Sequence, residues 1–413
     1  MHFGIISPPV PGHLNPFGAL GRELIERGHQ VTLIHMPDLA ERAKAEGLGF
    51  EAIGEEHFPP GSLAESLAQL SRLDGLAALR FTIGAIRKTT EMMCRDAPEA
   101  VQKAAIGALL VDQTEPAGAA VAEYLGLPFV TICNALALNR EPDIPPPFTA
   151  WNYHPSWWAR ARNRAGYAIF DQIMRPVRRV VDKYRAQWKL RERGSTEDFF
   201  SRLAQIGQQP PAFDFPRRNL PDHFHYAGPL RKPAKQIDFP WDRLDGRPLV
   251  YASLGTLQIR KEQIFRYFAE ACLDLNLQVV IAHGGGLDNA AVSSLPPNTL
   301  AVNYAPQLEV LARAQLTLTH AGLNTVLDSL SQGVPLVAVP ITYEQPAIAS
   351  RIRWSGAGEV IPFSHLKKDN LREAIQRVLS EPSYSRSAQA IKQSIQQSGG
   401  VASAADRIEQ VIG

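Results

Sequence analysis

Two residues far apart in the chain, His13 and Asp112, have the side-chain chemistry of a general base and of an acid that orients it. His13 lies after the apolar run 3–7, near the start of a segment with helical spacing, so its imidazole can face a ligand cleft. An imidazole whose pKa lies near neutrality can remove the proton of an alcohol. On local sequence alone, capping of the helix explains His13 equally well.

Asp112 ends another apolar run, which predicts a buried strand that stops at the same edge as the strand before His13. A carboxylate that is hydrogen-bonded to one imidazole nitrogen fixes the tautomer and stabilises the imidazolium form. Taken alone, Asp112 is better explained as the start of a loop that caps the following helix. Together with His13, it indicates a base and its orienting acid.

A second group of small and polar residues, in the C-terminal half, suits a nucleotide diphosphate. The turn 252–256 lets backbone N–H groups approach a phosphate, although many strand–helix turns look like this. The stronger pattern is 320–325, which ends a strand and opens a helix whose free N–H groups and dipole can bind a diphosphate. Side-chain donors there are His320, Asn324 and Thr325. The predicted binding residues are Ser253, Gly255, Thr256, Tyr304, Gln307, His320, Gly322, Asn324, Thr325, Asp328, Glu344 and Gln345.

Four of these residues suit particular parts of a nucleotide sugar. Tyr304 offers a flat face for a base, and Asp328 can accept hydrogen bonds from ribose hydroxyls. Glu344 and Gln345 follow the next predicted strand and can contact sugar hydroxyls. The pattern therefore predicts one site that holds base, ribose, diphosphate and sugar.

The elements that must position these residues alternate between short apolar runs and segments of helical spacing, which is typical of parallel sheets covered by helices. The predicted strands are 3–7, 30–35, 106–111, 128–133, 249–253, 278–282, 316–319 and 336–339. The predicted helices are 14–26, 117–125, 261–276, 323–332 and 366–379, with a helical tail over 385–412. The predicted fold class is α/β, with two doubly wound, Rossmann-like domains facing across a cleft.

The domain boundaries follow from length and composition. A chain of 413 residues is too long for one ordinary core, so we expect an N-terminal domain over 1–228 and a C-terminal domain over 249–384. The segment 229–248 is rich in proline and charge and is predicted to be the linker. The remaining segment, 385–413, is expected to form a helix that packs back on the N-terminal domain.

Composition excludes several classes of function. A formal net charge of +2 gives no case for nucleic acid as a partner. The three cysteines are scattered, which argues against a disulfide framework or a zinc site and favours the reducing cytoplasm. No apolar run reaches the roughly 18 residues of a membrane span, and the first residues resemble a buried strand rather than a leader. No carboxylate pair has the character of metal ligands, so no metal is expected.

The segment 157–193 differs from the rest because it mixes arginines with many aromatic residues. One interpretation is a solvated helix with an aromatic inner face. The alternative is peripheral contact with anionic lipid, at the inner face of the membrane, where an apolar substrate could be taken up.

The C-terminal motifs resemble the nucleotide-sugar signature of the family 1 UDP-dependent glycosyltransferases of the two-domain GT-B type. The matching residues are Pro306-Gln307, His320-x-Gly322-x-Asn324-Thr325, Asp328, Gly333-x-Pro335 and Gln345, in that order. His13 and Asp112 also lie where that family keeps its base and its orienting acid. The resemblance implies that 1–228 binds the acceptor, that 249–384 binds the UDP-sugar donor, and that a hexose is transferred with inversion and without a metal.

Further phrases resemble the carotenoid-type branch of the family, which glucosylates xanthophylls such as zeaxanthin. They are 111–118, 138–143, 253–258 and 324–328. This resemblance implies UDP-glucose as donor and a hydroxyl of an apolar small molecule as acceptor. The sequence departs from the common family pattern at three positions: Tyr304 replaces Trp, Asp328 replaces Glu, and Glu344 replaces Asp.

Other functions remain open on the sequence. The acceptor could be another hydrophobic natural product: a flavonoid, a terpenoid, a sterol or a macrolide. A UDP-sugar epimerase, or a non-catalytic UDP-sugar-binding protein, would share the architecture, although the paired His13 and Asp112 argue against both. A nicotinamide oxidoreductase is disfavoured because no G-x-G-x-x-G follows the first strand.

Overall fold

The computed structural model describes residues 1–73, 75–232, 237–255 and 262–413, which form two parallel sheets covered by helices. The strands of the first sheet are β1 (His2–Ile6), β2 (Gln30–His35), β3 (Gly49–Ala52), β4 (Ala108–Asp112), β5 (Phe129–Cys133), β6 (Gln205–Gly207) and β7 (Phe224–Tyr226). The helices in this half are α1 (Pro11–Glu26), α2 (Ala40–Ala45), α3 (Ser62–Leu70), α4 (Gly75–Lys103), α5 (Pro116–Leu125) and α6 (Trp157–Gln187).

The second half repeats the alternation of strands and helices. Its strands are β8 (Leu249–Ser253), β9 (Gln278–Ala282), β10 (Thr299–Val302), β11 (Ala314–Thr319), β12 (Leu336–Ala338) and β13 (Gly358–Val360). Its helices are α7 (Glu262–Asp274), α8 (Asn289–Ser293), α9 (Gln307–Leu311), α10 (Leu323–Ser331), α11 (Gln345–Trp354), α12 (Lys368–Ser380), α13 (Pro382–Ser398) and α14 (Gly400–Ile412).

Both sheets are doubly wound. The strand orders are β3-β2-β1-β4-β5-β6-β7 and β10-β9-β8-β11-β12-β13, and the paired strands run parallel. The order reverses between β1 and β4 in one sheet and between β8 and β11 in the other. Such reversals leave a crevice at the carboxyl ends of the strands, where ligands bind in open α/β sheets. The predicted fold class is confirmed.

The central strands form because they are apolar on both faces and are covered on both sides by helices. Every residue of β4, β8 and β9 is buried. The strands that the sequence did not predict are the shorter or more marginal ones, β3, β6, β7, β10 and β13. These have three or four residues, too few for apolar periodicity to identify.

The tail of the chain forms two helices rather than one. α13 ends at Gly399, whose φ of 80° lies in the left-handed region that favours glycine, and α14 begins at once. α14 packs against α1, and its Ala404, Ala405 and Ile408 are fully buried in the core of the first sheet. The N-terminal core is thus completed by residues from the other end of the sequence.

A buried ion pair joins the two halves. Arg351 of α11 donates from Nε to Asp214 Oδ1 at 2.9 Å, and its Nη2 lies at the same distance from that oxygen. Asp214 also accepts from Arg217 Nε at 3.0 Å and from the Tyr226 hydroxyl at 3.1 Å. Although burial favours the neutral acid, the charges of Arg217 and Arg351 lower the pKa of Asp214 to about 2. The guanidinium of Arg351 also lies over the Phe215 ring, 4.3 Å from its centroid.

We predict that Asp214→Asn destabilises the protein by about 3–5 kcal/mol, because buried Arg351 loses the carboxylate it pairs with and buried Arg217 is left with the more distant Glu141, 3.6 Å away. The pKa of Asp214 is lower in the folded than in the unfolded protein. Its contribution to stability is therefore fully present above the unfolded value, about 3.9, and is lost as the pH falls towards 2. Urea unfolding at pH 7 and at pH 3 would measure both effects.

The matched control is Asp245→Asn, which removes an exposed carboxylate that pairs with Arg247. Exposed ion pairs contribute little to stability, so the unfolding midpoint of this variant should stay close to that of the wild type. Equal losses in the two variants would show that the buried pair has no special role.

Candidate functional site

His13 and Asp112 meet at the reversal point of the first sheet. β1 and β4 pair directly, with Ile6 opposite Val111, so the loop after β1 and the end of β4 lie side by side. α1 begins at Pro11 and presents His13 in its first turn. The Nδ1 of His13 lies 2.8 Å from Oδ2 of Asp112, a hydrogen-bond distance. The two residues singled out by their chemistry are therefore in contact.

Asp112 is held as an ionised acceptor. It is only 1% exposed, and its Oδ2 also accepts from Asn134 Nδ2 at 2.9 Å. Its Oδ1 accepts from the backbone N–H of Thr114 at 2.9 Å and from the Thr114 hydroxyl at 2.6 Å. Burial raises the pKa of Asp112, but the charge and hydrogen bond of His13 and the hydrogen bonds of Thr114 together lower it by more. The net pKa is therefore below its ordinary value.

The pKa of His13 is raised. Burial alone would lower this pKa, but the charge and hydrogen bond of Asp112, together with the charge of Glu344, outweigh burial. A carboxylate at Nδ1 requires that nitrogen to carry the proton in the neutral ring. Nε2 is then the nitrogen that can accept a proton, which is the arrangement that a general base needs.

His320 lies at the corresponding reversal point of the second sheet, after β11. Two glycines border its ring: a Cβ on Gly322 would come within 2.6 Å of the ring, and a Cβ on Gly255 within 2.9 Å. Ala321, the residue between His320 and Gly322, adopts a positive φ of 65°, which is a strained conformation for a residue with a side chain. Burial lowers the pKa of His320 to about 4, although a hydrogen bond with the backbone of Ser253 acts in the opposite direction. The ring is therefore neutral at pH 7.

The first turn of α10 leaves the N–H groups of residues 323–325 without helical partners, as the sequence predicted for a diphosphate site. Its Asn324 side chain, however, reaches across to the other half of the molecule. Nδ2 donates to the carbonyl oxygen of Gly12 at 2.8 Å. Oδ1 accepts from Gln208 at 3.2 Å and from Arg231 at 3.0 Å. In this structure Asn324 therefore bridges the cleft next to His13.

Asp328, one turn further along α10, is also engaged. Its Oδ1 accepts from Arg231 Nε at 2.6 Å, and its Oδ2 accepts from Gln307 Nε2 at 2.5 Å. Gln307 in turn accepts from the hydroxyl of Tyr251 at 2.8 Å. These contacts fix the orientation of the carboxylate that the sequence predicts to bind ribose.

Glu344 and Gln345 lie at the start of α11. Oε2 of Glu344 accepts from the backbone N–H of Leu136 at 3.2 Å, so this carboxylate also touches the first half of the chain. Oε1 of Gln345 accepts from the N–H groups of Ile341 and Thr342 at 2.8 and 2.9 Å. The loop after β12 is thus folded around the side chain of Gln345.

Three further predicted residues differ in their surroundings or lie outside the described ranges. Tyr304 is 62% exposed, and its ring is free to stack on a planar group. Thr325 is buried in the first turn of α10. Thr256 lies outside the described residues.

Sequence reasoning missed three polar residues that connect the two groups: Arg231, Gln208 and Asn134. Arg231 belongs to the segment predicted to be a linker, where its charge looked like ordinary solvent exposure. Gln208 and Asn134 follow the short strand β6 and the strand β5. Their positions after parallel strands, at the edge where ligands bind, were the one available signal.

The described ranges hold neither a cluster of metal-ligating side chains nor a membrane-spanning helix. Residues 1–73, 75–232, 237–255 and 262–413 contain no group of three or more His, Cys, Asp or Glu side chains that could hold a metal ion. In the same parts of the chain, no helix is both long and apolar enough to cross a bilayer.

Comparison with known proteins agrees with the motifs. Residues 64–396 match the family described as UDP-glucoronosyl and UDP-glucosyl transferase. The chain is similar to the zeaxanthin glucosyltransferase of Pantoea ananas, with 37% identity covering 100% of this chain and 96% of the relative. The zeaxanthin glucosyltransferase of Pseudescherichia vulneris is 36% identical, with 100% and 98% covered. The crystal structure of the calicheamicin glycosyltransferase CalG4 superposes with a TM-score of 0.77 at 26% identity, covering 100% and 98%.

We predict that Asp112→Asn lowers the pKa of His13, because the variant removes the largest charge that favours the imidazolium. An NMR pH titration of the imidazole would measure the shift, with the His13 signal assigned from its absence in His13→Gln. Glu344→Gln is the control and should lower the pKa less, since Glu344 contributes less than Asp112. A pKa of His13 that is equal in wild type and Asp112→Asn would contradict the prediction.

Proposed function

Because the chain belongs to the UDP-glucoronosyl and UDP-glucosyl transferase family and has its two-domain GT-B fold, we propose that it transfers glucose from UDP-glucose to an apolar alcohol. The acceptor we propose is a xanthophyll of the zeaxanthin type. The observation that carries the proposal is the 2.8 Å contact of His13 with Asp112, opposite the start of α10.

In the proposed reaction, Nε2 of His13 takes the proton of the acceptor hydroxyl while that oxygen forms a bond to the anomeric carbon. The bond from the anomeric carbon to the phosphate oxygen breaks, and UDP leaves with the electron pair. Asp112 stabilises the imidazolium, as its contact with Nδ1 allows. A single displacement inverts the anomeric centre, so an α-linked donor gives a β-glycoside.

The donor would lie on the second half of the molecule. The N–H groups at the start of α10 would bind the diphosphate, with Ser253 and Gly255 on the turn after β8. Thr256, which lies outside the described residues, is proposed as a further donor on its sequence alone. His320 is neutral at pH 7, so it would act as a hydrogen-bond donor rather than as a cation. These groups would stabilise the charge that develops on the leaving UDP, which is binding that favours the transition state.

The remaining contacts proposed for the donor are to its base, its ribose and its sugar. Tyr304 would stack on the base, Asp328 would accept from the ribose hydroxyls, and Gln307 would hold Asp328 in place. Glu344 and Gln345 would contact the hydroxyls of the sugar. Burial raises the pKa of Glu344, against the opposing charge of His13.

The carotenoid acceptor is supported by the two zeaxanthin glucosyltransferases, each of which aligns with the full length of the chain. Flavonoids, terpenoids, sterols and macrolides are the other acceptors to be tested, because a transferase named for a different product, the calicheamicin glycosyltransferase CalG4, is similar to this chain at lower identity. The test is a transfer assay with UDP-glucose and detergent-solubilised zeaxanthin, run in parallel with a flavonoid, a sterol and a macrolide, with products resolved by mass.

We expect a glucoside from zeaxanthin and little product from the other acceptors. Products from the other acceptors alone would overturn the carotenoid assignment and keep the transferase.

His13→Ala should reduce turnover by about 10²–10⁴-fold with an unchanged melting temperature, since general base catalysis contributes in that range. Near-normal turnover of a folded His13→Ala would overturn the role of this residue. Epimerised UDP-sugar formed without acceptor would favour an epimerase instead.

We also propose that α6 contacts anionic membranes, from which an apolar acceptor would be taken up. Trp157 is 80% exposed and Ile169 58% exposed on this helix, and Arg164, Arg175 and Arg179 of the same helix are exposed. Amphipathic helices of this kind bind anionic lipid through an apolar face and flanking cations.

The expected result is sedimentation of the protein with phosphatidylglycerol vesicles but not with phosphatidylcholine vesicles. Trp157→Ser combined with Ile169→Ser should weaken it, because the apolar contacts are lost. The control is Leu203→Ser, which removes a 40% exposed apolar side chain outside α6. Equal sedimentation of all three proteins would argue against a role of α6.

A further inference from the structure

Arg231 lies in the segment between the two sheets and connects residues of both. Its Nε donates to Asp328 at 2.6 Å, and its Nη1 donates to Gln208 at 3.1 Å and to the Leu230 carbonyl at 3.0 Å. Its Nη2 donates to the side chain of Asn324 at 3.0 Å and to the carbonyl of the same residue at 3.4 Å. A guanidinium has five N–H donors, so these five acceptors use all of them.

The acceptors of Arg231 are the residues assigned above to the donor. Asp328 would bind ribose, and Asn324 begins the helix that would bind the diphosphate. Arg231 is 22% exposed on its side chain and Asp328 8%, so the pair is shielded from solvent more than an ordinary surface ion pair. Without Arg231, the Asp328 carboxylate would keep only Gln307 as a side-chain partner among the described residues, and it would be held less firmly.

Arg231 is also part of a longer chain of hydrogen bonds that ends at the base. Gln208 accepts from Arg231 and donates from Nε2 to the carbonyl of Asn134 at 2.6 Å. Asn134 in turn donates to Asp112 at 2.9 Å. In order, the connected residues are His13, Asp112, Asn134, Gln208, Arg231 and Asp328.

We propose that Arg231 is a positioning residue for the donor: it fixes the Asp328 carboxylate and the start of α10 so that they recognise the ribose of a nucleoside diphosphate. This inference rests on the proposed function. Arg231 acts through its geometry, because a planar fork with five donors can hold acceptors on the linker, on α10 and on the first half at once. A lysine has the same charge but cannot span these acceptors.

The experiment compares the affinities of UDP and 2′-deoxy-UDP by calorimetry. If Asp328 is correctly oriented, the wild type should bind UDP roughly tenfold more tightly, since an unmatched hydrogen-bonding group at a charged partner costs about that factor. Arg231→Gln and Arg231→Lys should both weaken UDP binding and bring the ratio of the two affinities close to one. In the transfer assay, both variants should raise the KM for UDP-glucose more than they lower kcat.

The matched control is Lys232→Gln. Lys232 is the next residue of the linker, and it pairs with Glu23 and Glu26 of α1 at 2.8 and 2.5 Å, away from the donor residues. This variant should keep both affinities and their ratio. Melting temperatures of all the variants would establish that each is folded.

Four outcomes would overturn the inference. An equal loss of affinity for UDP and 2′-deoxy-UDP in Arg231→Gln would show that Arg231 only supports the fold. A wild-type ratio in Arg231→Lys would show that charge alone is sufficient. Unchanged UDP affinity in Arg231→Gln would remove any role in donor binding, while the proposed function would stand. If the wild type does not bind UDP, the proposed function fails, and this inference fails with it.

Discussion

The contact between His13 and Asp112 depends on the parallel pairing of β1 with β4. His13 and Asp112 are separated by almost a hundred residues, and the register that places Ile6 opposite Val111 brings their loops to one edge of the sheet. The properties of the pair follow from this contact: the lowered pKa of Asp112, the tautomer of the His13 imidazole and the raised pKa of that imidazole. Because the sheet is buried on both faces, a shift of register would disrupt its core, so the fold holds the pair in place.

The second sheet uses the same topology for a different purpose. Its reversal point presents a neutral histidine, two glycines that leave room for the ring, and the first turn of a helix. The two reversal points are not independent, because Asn324 bonds to Gly12, Glu344 bonds to Leu136 and Arg351 pairs with Asp214. Polar contacts across the cleft thus hold His13, the proposed base, in a fixed position relative to the site proposed for the leaving group.

Sequence reasoning predicted the parts of this arrangement that depend on local pattern. Long apolar runs identified the central strands, and residues that follow such strands identified His13, Asp112 and His320. It did not predict the edge strands, since three or four residues carry too little periodicity. It also could not predict the contact of Asn324 with Gly12 or that of Asp328 with Arg231, because these partners lie more than ninety residues away in the chain. Arg231 shows the difficulty most clearly: its charge and its proline-rich neighbours indicated a solvated linker, whereas tertiary contacts make it the centre of a network.

The packing of α14 against α1 has a consequence for how the protein is made. Ala404, Ala405 and Ile408 belong to the core of the first sheet. This core therefore remains incomplete while the ribosome is still translating the strands and helices of the second sheet. Multidomain proteins commonly fold their N-terminal domain first during synthesis. Here the apolar side chains of α1 that α14 covers stay exposed until α14 has been synthesised. Complete folding of the N-terminal half is therefore coupled to the synthesis of a helix that follows the whole second sheet in the sequence. The first half to be synthesised is therefore the last to be completed.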